Sequence, residues 1–106
     1  MKTAKNKPKT KEILLTTTND MAGYKILETI GLVQGSVVVK TKSLKIKGST
    51  NVFAEARRIA LRKMIFLTRQ LKADAVISIR FSISNIMKNA VEVVAYGTAV
   101  NIKKTK

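Results

Sequence analysis

The side chains able to carry a proton or hold a cation are few and scattered. The 106 residues contain six carboxylates, Glu12, Asp20, Glu28, Glu55, Asp74 and Glu92, and neither histidine nor cysteine. General acid–base work needs a titratable group within hydrogen-bond reach of the reacting proton, and no two of these carboxylates stand close enough in sequence to form a dyad. Glu28 and Glu92 are the best general-base candidates if they lie near Tyr96 and Arg80. The competing reading is that each is an isolated strand charge that faces solvent or pairs across the sheet. A serine nucleophile would need a desolvated lysine as its base, the histidine route being closed. Thiolate and imidazole are the ligands that hold zinc, copper and iron clusters, so structural zinc, iron–sulfur and cysteine-rich metal sites are excluded, and disulfides with them. Oxygen donors suit Mg or Ca, but six scattered carboxylates in a positive field make a poor cation trap. The five isolated glycines form no phosphate-binding loop. The expectation is a protein that is not an enzyme and carries no metal or cofactor.

Positive charge is abundant, with a formal net charge of +15. The first eleven residues, MKTAKNKPKTK, hold five lysines, and the last four residues hold three more. Eight of the fifteen net charges therefore sit in the ends. One reading is solubility. The other is neutralisation of phosphates on a nucleic acid or another polyanion through Lys42, Lys45, Lys47, Arg58, Arg62 and Arg69 together with the tails. An aromatic content of 5% argues against a stacking-rich surface.

These residues must be positioned by one small domain, since 106 residues fall within the length of a single domain. Residues 1–11 lack large apolar side chains after Met1 and read as a disordered basic tail. Residues 12–102 read as the domain, and 103–106 as a basic C-terminal tail. The start lacks the apolar stretch of a secretory signal and no apolar run is long enough to cross a bilayer, so a cytoplasmic location without a membrane partner is expected.

Periodicity predicts a short strand at Ile13–Thr17 and a long one over Tyr24–Thr41. Gly31 and Gly35 interrupt the second, marking a bulge, a bend or a close backbone approach. A helix is predicted over Val52–Lys72, with Asn51 as N-cap and Glu55 near the positive end of the dipole. Its main apolar stripe is Phe53, Ala56, Ala60, Met64, Leu67 and Leu71, with Ala54, Leu61 and Ile65 well outside it. Ala75–Ile83 alternates, placing Ile77, Ile79, Phe81 and Ile83 on one face toward the helix. Ser84–Asn89 reads as a hairpin connection, and Val91–Ile102 as a last strand with apolar residues on both faces. One helix cannot cover this much apolar surface. Leu61, Ile65, Val94 and Tyr96 are therefore expected at an interface between copies of the chain, the other reading of Leu61 and Ile65 being scattered surface hydrophobes.

The segments LLTTTNDMAGYKILETIGLVQGSVV, EARRIALRKM, ADAVISIRF and VEVVAYGTAV, in this order and spacing, closely resemble the YbjQ-like family of small bacterial and archaeal proteins. The resemblance covers nearly all of residues 13–101. It implies a dodecin-like or YbjQ-like α+β fold, one long helix on an antiparallel sheet of about four strands, assembled as a homopentameric ring. It also carries the family's label of heavy-metal binding. Two departures stand out: the Gly-rich segment before the helix is shortened to TKSLKIKGST, and Lys72 or Ala73 replaces a glycine common before the third strand. For Arg80, Tyr96, Gly97 and Thr98 two readings stand. They form a polar cluster at a subunit junction, or Tyr96 packs, Gly97 permits a bulge and Arg80 pairs with a carboxylate.

Overall fold

The computed structural model describes residues 12–40 and 50–105. Its elements are β1 (Leu14–Leu15), β2 (Tyr24–Lys40), α1 (Thr50–Gln70), β3 (Ala75–Met87) and β4 (Ala90–Lys104). One sheet has the order β1-β3-β4-β2. β2 and β3 both run antiparallel to β4, so they run the same way, and α1 carries the chain back across the sheet between them. β1 pairs in parallel with the start of β3. The sheet is therefore mixed, a correction to the expected antiparallel arrangement; a two-residue strand has no periodicity from which its direction could be read.

The helix packs on β2 and β4 through Ala56, Ala60, Met64 and Thr68, all buried. Small side chains let the backbones meet. A Cβ on Gly35 would lie 2.5 Å from the Met64 nitrogen and closer still to the Ala60 carbonyl, so Gly35 marks the close approach that the sequence allowed for. Gly31 sits at one of two register shifts in β2 with φ +147, the bulge that was the alternative. These shifts place Ile30, Val33 and Val37 together under the helix, while Ile26 joins a separate cluster.

That cluster lies on the opposite face of the sheet. Ala75, Ile77 and Val100 are buried there with Leu14, Met21, Ile26 and Ile102 around them, so the β1–β2 connection covers part of the face the helix cannot reach. The lower end of the two-sided strands is thus buried within one chain.

Four local expectations are corrected. The helix starts at Thr50, so Asn51 lies inside it rather than at the cap. Glu55 falls beyond the first turn and pairs with Arg58 at 2.7 Å. Ser84–Met87 belongs to β3, and only Lys88 and Asn89 form the turn; a solvated hairpin arm is polar enough to look like a loop. Lys103 and Lys104 are in β4, opposite Lys25 and Tyr24, not in a tail. Residues 1–11, read as disordered, lie outside the described residues.

Candidate functional site

The signature segments meet at one distortion of the sheet. Ile77 pairs with Thr98 and Arg80 with Tyr96, so Ser78 and Ile79 together oppose Gly97 alone. The extra residue is accommodated by Ser78 at φ 55, a left-handed position. A Cβ on Gly97 would sit 2.7 Å from Val76 Cγ1 and 2.9 Å from the Ile77 carbonyl. The segment Thr16, Thr17 and Thr18, which follows β1, ties down the same place. Ser78 N donates to Thr18 O at 2.9 Å and Ile79 N to Thr16 O at 3.2 Å, while Ser78 Oγ meets Asn19 Oδ1 at 2.8 Å.

This bulge inverts the side chains that follow it. Ile77 lies in the lower cluster and Ile79 under the helix, so of the predicted face of Ile77, Ile79, Phe81 and Ile83 only Ile77 is turned to the opposite side. Phe81 and Ile83 pair with Ala95 and Val93, which are buried on the helix side. They share that side but lie one strand beyond the helix, 41% and 50% exposed.

On the other face Tyr96 is flanked by Arg80 and Gln34, Val94 by Ser82 and Ser36, and Glu92 by Ser84 and Val38. Arg80 Nη1 donates to the carbonyls of Thr17 at 2.8 Å and Ile79 at 2.9 Å, so it braces backbone, which differs from the carboxylate pairing that was one of its two readings. Glu92 stands four residues from Tyr96 along β4, about 14 Å at ~3.4 Å per residue. Glu28 lies opposite Asn101, five positions along the strand from Tyr96 in the other direction. Neither carboxylate is brought to Tyr96 and Arg80, so the acid–base constellation considered from sequence is not assembled.

The four candidate interface residues divide between two surfaces. Leu61 and Ile65 are partly buried against the chain's own core, whereas Val94 and Tyr96 lie on the sheet face away from the helix. Sequence spacing put Leu61 and Ile65 outside the main stripe, but α1 lies over two strands, and that width covers its flank. Of the four only Tyr96 is exposed, and other large apolar residues left exposed include Ile86 and Met87 at the hairpin tip, Leu27, Leu32 and Val38 on β2, and Phe66 on α1.

Arg58, Arg62 and Arg69 are exposed along the outer side of α1, with Arg58 held by Glu55. Lys42, Lys45 and Lys47 lie outside the described residues. Phe66, 61% exposed, stands among the arginines, and an aromatic content of 5% over the whole chain gives no sign of that position.

With this geometry in hand, a family model described as "Putative heavy-metal-binding" matches residues 13–103. The chain belongs to the YbjQ-like family. Relatives in it, each named UPF0145 protein, include one from Pseudothermotoga lettingae, 42% identical with 87% of this chain and 99% of the relative covered. Another, from Pyrococcus furiosus, is 39% identical over 90% of this chain and 95% of the relative. A crystal structure of a protein of unknown function from Pediococcus pentosaceus, assigned to the DUF74 family, superposes with a TM-score of 0.62. It is 20% identical and covers 86% of this chain and 98% of its own, a likeness of fold. The YbjQ-like label does not fit the donors in this chain. There is no histidine or cysteine in the sequence, and among the described residues no three carboxylates gather where a metal ion could be held. No thiolate or imidazole is available to a thiophilic metal. No helix among the described residues is long and apolar enough to cross a membrane.

Proposed function

We propose that the protein acts as a non-enzymatic, cytoplasmic homo-oligomer, a ring of five, that holds a small ligand or ion between subunits. The observation that carries this reading is the β3–β4 arm. Residues 81–89 are all exposed, and they include Phe81, Ile83, Ile86 and Met87. Covering four such side chains, each about half exposed, would contribute on the order of 1 kcal/mol apiece at ~25 cal/mol per Å². β2 also forms one border of the sheet over 17 residues, and long uncovered edges of this kind invite pairing. An arm of one subunit laid on the edge or face of the next is a head-to-tail contact, the type that closes into rings. Arg80 and Tyr96 stand at the root of the arm, where a subunit junction would place a polar pocket.

The test is the paired substitution Ile83→Asp with Met87→Asp, both at exposed positions. The substituted chain should keep its far-ultraviolet spectrum and fall to monomer mass, and an unchanged assembly would refute the role of the arm.

A second reading, polyanion binding through the basic surface, is supported by the exposed arginines of α1 and the net charge of +15. Its signature would be an affinity that falls steeply with salt, and no retardation of nucleic acid at low salt would end it.

A further inference from the structure

We propose that the outer side of α1 is a binding face for single-stranded nucleic acid, with Phe66 as the stacking platform and Arg62 and Arg69 as the phosphate contacts; this rests on the polyanion reading. At 100° per residue, Arg58, Arg62, Phe66 and Arg69 fall within about 80° of one another, and they run about 16 Å along the helix. Arg62 and Arg69 are the i−4 and i+3 neighbours of Phe66, so the guanidinium groups bracket the ring. Glu55 is joined to Arg58 at 2.7 Å, and residues 56–70 contain no acid. Arg69 also interacts within the chain, while the helix's own charge around Phe66 is of one sign.

A phenyl ring 61% exposed on a strongly positive helix face suits a ligand with flat apolar faces and a polyanionic backbone. Unpaired bases offer their faces, and a duplex conceals them. Charge complementarity thus selects a polyanion, and the ring selects a single strand over a duplex. The 2′-hydroxyl plays no part in either contact, so DNA and RNA are both in the class.

The test uses the full chain and fluorescein-labelled oligo-dT and oligo-U, with a DNA duplex, heparin and phosphatidylserine vesicles as comparisons. Phe66→Ala should weaken binding of the single strands roughly 5- to 100-fold, leave heparin binding and native mass unchanged, and keep the melting temperature. Arg62→Gln with Arg69→Gln should lower the slope of log affinity against log salt by about 1.4. The chain has no tryptophan, so Phe66→Trp places one indole at the site, and its fluorescence should be quenched by oligo-dT. If heparin and the oligonucleotides bind but Phe66→Ala has no effect, the site is wrong while polyanion binding stands. If nothing binds at low salt, both fail. A change in native mass on Phe66→Ala, or a loss of vesicle binding greater than the loss of oligonucleotide binding, would assign Phe66 to a second copy or to a lipid surface and overturn the proposal.

Discussion

Gly97 lies against Val76 so closely that a single added methyl would stand 2.7 Å from Val76 Cγ1. The contact exists because the bulge at Ser78 and Ile79 presses β3 toward β4 at the one position without a side chain. Both obstacles at Gly97 belong to fully packed or backbone atoms, so neither yields easily. Gly97→Ala should destabilise the domain by about 1–3 kcal/mol, the usual cost of overpacking. A urea midpoint unchanged from the parent chain would show that the bulge relaxes freely.

Lys72 occupies the opposite situation, a side chain where none is wanted. Its φ is 60, its amide donates to Arg69 O at 3.0 Å, and Ala73 N donates to Thr68 O at 3.2 Å. This is the left-handed helix ending that favours glycine. Lys72→Gly should therefore raise stability by roughly 1 kcal/mol, the strain of a non-glycine residue in that region. A lower unfolding midpoint would contradict this account of the helix end.

Met64 is completely buried between the helix and the sheet. Met64→Ala should cost about 2–5 kcal/mol, a much larger effect than the same truncation at the exposed Phe66. Equal losses at the two positions, read by thermal unfolding, would mean that the outer side of α1 is covered.

Metal should be irrelevant to folding. With no thiolate or imidazole in the chain, chelator treatment should leave the melting temperature unchanged, and zinc, copper or cadmium should give no stoichiometric heat in calorimetry. Binding with micromolar affinity by any of these would contradict this reading of the donor set.

Much of this structure was readable from residue patterns. Ala56, Ala60 and Met64 announce the helix and its buried side, and the two interrupting glycines of β2 mark a bulge and a backbone contact. Other features depend on long-range pairing. The bulge at Ser78 breaks the alternation of Ile77 and Ile79, and nothing in a Ser side chain advertises a positive φ. The parallel pairing of Leu14 with Ala75 brings together residues some sixty positions apart. Ser84–Met87 looked like a loop because a strand without cover on either side has no apolar period to display. Leu61 and Ile65 lie outside the narrow stripe that spacing alone marks as covered, whereas β2 and β4 together shelter that flank of the helix. The site was legible as a set of signatures, but their convergence on the Ser78–Gly97 bulge was not.

The central claim is that the exposed arm at Phe81–Met87 and the border strand β2 are covered by other copies of this chain. Native mass measured by light scattering, at physiological salt and again at higher salt that screens the repulsion between basic chains, addresses it directly. The expected value is about five times the 11.7 kDa of one chain under both conditions. A mass of one chain across the accessible concentration range would contradict the claim and leave those apolar side chains exposed to water.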